Sequence, residues 1–262
     1  MITFCRTRYT YDSYVDFWRL VELSGYPAIY VDEIPKDAPD DVFIVTPVNG
    51  EWKQGIETSG RVIWWNLEWG LGDGAPPGVG EVWTSDRWHA LQTGARFVPL
   101  GSHPALVSIN PAARWNGGAQ WDVALLAYLG PARRQTPVNR MVDRGLTMAP
   151  NGWGAERDAV LTGSRIMVNV HQHDEWPCVP AQRFALAAAA AMPLVSEAIN
   201  DPYPFRPGVD FFTAGYDDLP TMAEAVIRHE MGRDLAANLQ RRACHEFRFD
   251  VNVEKAIEGV AV

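Results

Sequence analysis

The sequence predicts an α/β protein built from two Rossmann-like lobes, each with a parallel sheet. The chain has 262 residues, which is more than a single domain usually contains. Along it, short apolar runs alternate with stretches of helical periodicity, a pattern typical of parallel βαβ units. A stretch rich in proline, glycine and asparagine, residues 98–120, interrupts this alternation once, after which it resumes. Two successive lobes explain these observations together.

The first half of the chain contains six predicted strands and a strongly amphipathic helix after the first of them. In "YDSYVDFWRLVELSG", residues 11–25, Phe17 and Val21 lie on one helical face, and Gly25 is suited to end the helix. This is one βα unit. The predicted strands are Ile2 to Cys5, Ala28 to Val31, Val42 to Thr46, Arg61 to Leu67, Val82 to Ser85 and Arg96 to Leu100.

The second half repeats the alternation and ends in helices. We place the boundary near residue 105, so that residues 1–105 form the N-terminal lobe, 106–250 the C-terminal lobe and 251–262 a closing helix. Further helices are predicted from about Leu219 onward. The predicted strands of this half are Val123 to Tyr128, Leu146 to Ala149, Ile166 to Val170, Leu194 to Glu197 and Phe211 to Ala214.

Composition narrows the class of protein. Hydrophobic residues make up 47% and charged residues 21%, which is ordinary for a globular protein. No signal sequence or membrane span is recognisable, so we expect a cytoplasmic protein without a membrane partner. The three cysteines, Cys5, Cys178 and Cys244, are too few and too scattered for a disulfide framework or a zinc cluster. The net charge of −9 gives no general attraction to nucleic acid.

The stretch "MVNVHQHDEWPCVPAQRF", residues 167–184, predicts a ligand site. It starts as a buried strand, and His171 and Gln172 follow the carboxyl end of that strand, where open parallel sheets bind ligands. An alanine-rich helix comes next, with Gln182 and Arg183 in its first turn. The free N–H groups and positive dipole end of such a helix suit a phosphate.

These residues also carry a resemblance to a known family. "RIMVNVH", Arg183, "ALAAAAAMPLV" and the pair Ser196 and Glu197 follow one another as in the C-terminal domain of group 1 glycosyltransferases of the GT-B fold, especially the spore-maturation sub-group. The likeness covers about residues 121–250 well and the N-terminal lobe weakly. The style of "YVDFWRLVELSGY" and "NDPYPF" is also similar to bacteriophage glycosyltransferases.

The resemblance implies a short GT-B variant whose two lobes face each other across a cleft. The C-terminal lobe would bind a nucleotide-diphosphate sugar, with a UDP-sugar as the expected donor, and the N-terminal lobe would hold the acceptor. Basic side chains and a helix N-terminus would stabilise the departing diphosphate without a metal. The expected donor contacts are Arg133, Arg134 and Arg183 for the diphosphate, Trp153 beside the nucleobase, and Asn169, His171, Gln172, Ser196 and Glu197 for diphosphate or sugar.

The chain departs from the family at one important place. Retaining members carry two glutamates eight positions apart, where this sequence has Cys178 and Leu186. Glu175 and Glu197 are the alternatives, and the stereochemistry stays open. An inverting reaction needs a general base from the N-terminal lobe, for which Asp12 and Glu68, each beyond a predicted strand, are the candidates together with His171 as a further catalytic group.

The sequence gives weaker support to functions other than glycosyl transfer. His171 and His173 lack the remaining residues of the metallo-hydrolase pattern H-x-H-x-D-H, so no metal site is predicted. No G-x-G-x-x-G follows the first strand, which disfavours a dinucleotide-dependent oxidoreductase. A non-catalytic nucleotide-sugar-binding protein remains because of the missing glutamate pair.

The acceptor stays open between a hydroxymethylated base in phage DNA and a protein or glycan hydroxyl. Residues 1–105 carry 8 Lys and Arg against 14 Asp and Glu, a net charge of −6 in the lobe expected to hold the acceptor. This disfavours DNA. Arg6 and Arg8 form a local basic cluster that keeps DNA among the candidates.

Overall fold

The structure is a computed structural model that describes residues 1–7, 14–46, 55–67, 75–107, 114, 118–152, 154–175 and 177–262. It contains two sheets, and every strand pair in both sheets is parallel. The predicted α/β class with two parallel-sheet lobes is therefore confirmed. Ten of the eleven predicted strands are present, with ends that differ by a few residues.

The first sheet has six strands in the order β2-β1-β3-β4-β5-β6. The second has four in the order β10-β9-β8-β7. The strands of the first sheet are β1 (Ile2–Arg6), β2 (Ala28–Tyr30), β3 (Val42–Val45), β4 (Arg61–Asn66), β5 (Glu81–Thr84) and β6 (Arg96–Phe97), and those of the second are β7 (Trp121–Ala124), β8 (Ser164–Asn169), β9 (Leu194–Glu197) and β10 (Phe212–Ala214).

Eight α-helices in the described residues connect and cover these strands. A π-helical turn, Arg242–Glu246, follows the seventh. The helices are α1 (Val15–Leu23), α2 (Arg87–Thr93), α3 (Ala132–Asp143), α4 (Ala155–Gly163), α5 (Ala181–Ala189), α6 (Leu219–Arg228), α7 (Arg233–Arg241) and α8 (Phe249–Ile257).

Helix α1 forms as its periodicity predicts. Phe17, Leu20 and Val21 are buried on one face, and Phe17 packs edge-on against Phe4 of β1. The helix stops before Gly25, whose φ of +75° is easily adopted only without a side chain. The α1 unit therefore covers one face of the first sheet.

The alanine-rich helix α5 is buried along nearly its whole length. Every residue from Phe184 to Ala189 is at most 3% exposed. Small side chains let the helix backbone approach the sheet closely, because there is little bulk between them. The start of α5 is thereby held at the carboxyl edge of the second sheet.

The predicted strand Leu146 to Ala149 is wrong. This segment lies beside β7 but forms only one isolated bridge with it, between Met148 and Val123. The Asp122 carboxylate accepts the N–H of Thr147 at 2.9 Å, where a ladder would have used a backbone carbonyl. A side chain has replaced the regular strand pairing at this edge.

The chain crosses between the lobes at two adjoining places. Ser102, fully buried, bridges to Arg248, and its N–H bonds the carbonyl of Ala243 at 2.9 Å. Beyond this crossing α8 packs against the first lobe, where the Phe249 ring stacks on Trp65 at 5.9 Å. The last helix therefore belongs spatially to the first lobe.

Candidate functional site

Polar side chains gather at the carboxyl edge of the second sheet. Strand β8 ends at Asn169, the neighbouring β9 ends at Glu197, and Asn169 is in register with Ser196. Because parallel strands end at the same edge, these side chains lie together, as the position of strand ends predicts. His171 follows two residues after Asn169 and is 6% exposed.

Asn169 connects the two strands to α5. Its Nδ2 donates to Ser196 Oγ at 2.9 Å, and Ser196 Oγ donates to the Glu197 carbonyl at 2.8 Å. The Asn169 Oδ1 accepts a hydrogen bond from Arg183 Nη1. Arg183, in the first turn of α5, is therefore oriented by a fully buried amide at the end of β8.

The guanidinium of Arg133 lies between two carboxylates. It forms a two-contact ion pair with Glu197, with 2.8 Å from Nη1 to Oε2, and its Nε donates to Asp174 at 2.7 Å. It also donates to the His171 carbonyl at 2.9 Å and covers the Tyr216 ring at 4.5 Å. The hydrogen bond with Glu197 raises the pKa of Arg133 well above its usual value. Arg133 thus fixes Glu197 and the loop after β8 in place.

His171 is held in a defined orientation and tautomer. Its backbone N–H donates to Glu197 Oε2 at 3.0 Å, and its ring Nε2 lies 2.9 Å from the carbonyl of Ala198. A carbonyl only accepts, so we assign the ring proton to Nε2. Burial lowers the pKa of His171 below its usual 6.5, which favours the neutral ring. Nδ1 then carries a lone pair that can accept a hydrogen bond from a hydroxyl group.

Arg134 and Gln172 complete the set that the structure describes at this edge. Arg134 is 4% exposed, and its Nε and Nη1 donate to the carbonyls of Val170 and Tyr128 at 3.2 and 3.1 Å. It therefore anchors the backbone around the edge. Gln172 is half-buried next to His171.

The N-terminus of α5 carries positive potential. No side chain among the described residues caps it, and its first turn contains no acidic residue. The N–H groups of Arg183 and Phe184 bond the Pro180 carbonyl at 2.9 and 3.2 Å. The positive end of the helix dipole therefore meets no carboxylate from the first turn of the helix itself.

One contributor escaped the sequence analysis. Tyr216 was not considered, although its hydroxyl donates to the Arg133 carbonyl at 2.7 Å. Tyr216 follows β10 at the same carboxyl edge, so its position after a strand end could have revealed it.

Several predicted residues lie outside the described part of the chain. They are Asp12, Glu68 and Trp153, and also Arg8. Within the described residues no group of three or more His, Cys, Asp or Glu side chains is arranged to hold a metal ion. None of the helices there combines the length and apolar character needed to cross a bilayer.

Comparison with known sequences gives little information about the family of this chain. No family model matches the chain. An uncharacterized protein of Acanthamoeba polyphaga mimivirus is 30% identical over 88 residues, which is 32% of this chain and 29% of that protein. The match therefore spans less than a third of that protein's length.

Comparison with solved structures is more informative. Anabaena HepE in complex with UDP-glucose matches with a TM-score of 0.64 and 12% identity, covering 98% of each chain. AviGT4, a glycosyltransferase involved in avilamycin A biosynthesis, matches with 0.58 and 11%, covering 99% of this chain and 96% of that one. The DNA-modifying enzyme β-glucosyltransferase matches with 0.54 and 10%, covering 98% and 100%. At these identities the likeness shows a shared fold over whole chains.

Proposed function

We propose that this chain, which has the two-lobed GT-B fold of these glycosyltransferases, moves a sugar from a nucleotide-diphosphate donor to a hydroxyl acceptor. The observation that carries the proposal is the ordered polar edge of the second sheet beside the uncapped start of α5. The fold supports the same interpretation, because two structural neighbours are described as glucosyl- or glycosyltransferases and a third as a complex with UDP-glucose.

The diphosphate is proposed to bind at the N-terminus of α5. Arg183 is the leading side chain, since it lies in the first turn of this helix and is oriented by the neutral amide of Asn169. Positive charge from Arg183 and the helix end would stabilise UDP as it departs, so no metal is required. Arg133 acts indirectly, because its charge already meets Glu197 and Asp174.

The sugar and nucleoside are proposed to contact residues at and after the carboxyl ends of β8 and β9. Neutral His171 can accept a hydrogen bond from a sugar hydroxyl through Nδ1. Gln172 and Ser196 lie at the same edge. Trp153 is proposed to pack beside the nucleobase. Glu197 lies where a carboxylate could bind hydroxyls, with Arg133 holding its orientation.

The acceptor is proposed to bind the first lobe, with Asp12 or Glu68 as general base. The base takes the proton of the acceptor hydroxyl as its oxygen attacks C1 of the sugar. The bond from C1 to the diphosphate oxygen breaks at the same time, and the nucleoside diphosphate leaves with the electron pair. The bonds, electrons and proton of this step are all accounted for, so no further reactant is needed.

The direct test is transfer from labelled UDP-glucose to three acceptor classes. These are DNA containing hydroxymethylated bases, glycans and proteins, each assayed with and without EDTA. Transfer to any of them, unaffected by EDTA, is the expected result. Donor binding with neither transfer nor hydrolysis would support the alternative of a non-catalytic binding protein, which Cys178 and Leu186 at the glutamate positions favour. No binding of any nucleotide sugar would contradict both.

A further inference from the structure

We propose that Asp86 of the first lobe is a positioning residue that holds the start of α5, and with it Arg183, in the geometry that binds the donor. The inference rests on the proposed function for its ligand. Its structural part depends only on a buried contact between the lobes.

The Asp86 carboxylate makes one hydrogen bond in each lobe. Asp86 is the N-cap residue of α2, and its Oδ1 accepts the N–H of His89 at 2.7 Å. Its Oδ2 accepts the N–H of Val179 at 2.8 Å. The residue is 5% exposed, so both bonds are shielded from water. One carboxylate therefore ties α2 to the segment that leads into α5.

A short path leads from this contact to the donor site. Val179 is followed by Pro180, the N-cap residue of α5, and the Pro180 carbonyl accepts the N–H of Arg183 at 2.9 Å. Arg183 in turn donates to Asn169. A displacement of Val179 therefore displaces the first turn of α5.

The same segment is also held from the second lobe. The Pro177 carbonyl accepts the N–H of Asn200, which follows β9, at 3.0 Å. Asp86 supplies the constraint from the opposite side. Removing the second oxygen of Asp86 would therefore release Val179 on the side of the first lobe.

A helix cap alone does not account for this arrangement. Capping α2 requires one acceptor oxygen, and Oδ1 supplies it. Keeping a carboxylate buried is costly, as burial raises the pKa of Asp86 above its usual value. The second oxygen bonds the other lobe, so its contribution can be separated from capping by substitution.

The variants Asp86→Asn and Asp86→Ser separate the contact with the second lobe from the capping of α2. Asparagine and serine are both good N-cap residues, but each has a single side-chain oxygen in place of the two that separately meet the N–H groups of His89 and Val179. Arg87→Ala is the matched control, because Arg87 pairs with Asp201 at 2.7 Å across the same seam without bonding residues 177–180.

Two measurements are made on each full-length variant, the dissociation constant for UDP and amide hydrogen exchange over residues 177–184. In both Asp86 variants we expect faster exchange at Val179 and UDP binding weakened by about tenfold, the effect of removing one charge-assisted hydrogen bond. Arg87→Ala should change neither by more than about twofold.

The outcomes distinguish the two proposals. Asp86 variants that match Arg87→Ala in both measurements would overturn the positioning role. If the unaltered protein binds no nucleotide, the proposed function fails. Exchange at Val179 and Arg183 then still decides whether Asp86 holds the start of α5.

Discussion

The carboxyl edges of the two sheets differ in how their buried polar groups are paired. At the second sheet Asn169, Ser196 and Glu197 bond to one another and to the loops around them. At the first sheet Thr7 Oγ1, Thr46 Oγ1 and Asn66 Oδ1 are buried without a hydrogen-bond partner in the part of the chain that the structure describes. These three follow or end β1, β3 and β4.

The difference separates a network at the second edge that is ordered before any ligand arrives from three groups at the first edge that lack a partner in the described part of the chain. A paired network fixes side-chain positions, and the groups of the second sheet can therefore meet a ligand without rearrangement. A buried polar atom without a partner costs about 1–3 kcal/mol. The paired groups of the second edge thus have the fixed orientation that the proposed donor site needs.

Arg114 offers the largest expected effect, because it is the extreme case of a paired buried group in the second lobe. It is 2% exposed and donates to the carbonyls of Ser164, Leu161, Ala190 and Ala191 at the ends of α4 and α5. Burial lowers its pKa to about 10. Arg114→Met should lower the free energy of unfolding by at least about 3 kcal/mol, since four carbonyls are deprived of their donor.

Chemical denaturation with Arg144→Met as control measures this effect. Arg144 is half-exposed and pairs with Glu224 at 2.7 Å, so its removal should cost under about 1 kcal/mol. Equal destabilisation of the two variants would mean that the carbonyls around Arg114 find other partners.

A matched pair of substitutions tests the comparison itself. Ser196→Ala removes the acceptor of Asn169 Nδ2, which should lower the free energy of unfolding by about 1–3 kcal/mol. Thr46→Val removes a fully buried hydroxyl that has no described partner, so stability should stay unchanged or rise by up to about 1 kcal/mol. Urea denaturation of both variants measures the two changes in unfolding free energy. A larger destabilisation by Thr46→Val than by Ser196→Ala would reverse the contrast between the edges.

The smallest expected effect is the pH dependence that His171 introduces. Its folded-state pKa lies below the ordinary 6.5, so the unfolded chain binds the proton more readily. This contribution to stability is complete above pH 6.5 and declines as pH falls toward the folded-state pKa, by up to about 1.4 kcal/mol per pH unit.

His171→Gln keeps a donor for the Ala198 carbonyl and removes the titration. The difference in unfolding free energy between wild type and variant should be constant from pH 7 to 8 and should shift against the wild type below pH 6.5. A difference that stays flat down to pH 5 would mean that burial does not disfavour the charged ring.

Sequence reasoning located the strands and the residues of the candidate site because both follow from local patterns. Apolar runs marked the strands, and polar residues at and after the ends of β8 and β9 marked the edge where open parallel sheets generally bind ligands. The start of the alanine-rich helix pointed to Arg183, and the family resemblance supplied the donor class.

What sequence reasoning missed depends on contacts between distant residues. Arg133 and Glu197 are 64 positions apart, and Asp86 and Val179 are 93 apart, so no local spacing reveals either pair. The wrong strand at Leu146 to Ala149 arose similarly, because the Asp122 side chain took the place of a backbone partner.

The most direct test of the central claim is isothermal titration of UDP with the wild type, Arg183→Gln and the control Arg228→Gln. Arg228 is an exposed helix residue that pairs with Glu224. We predict that Arg183→Gln weakens UDP binding by about tenfold or more, as expected when a charged contact to phosphate is removed, while Arg228→Gln leaves it unchanged. Equal affinity in all three proteins would contradict a diphosphate site at the start of α5.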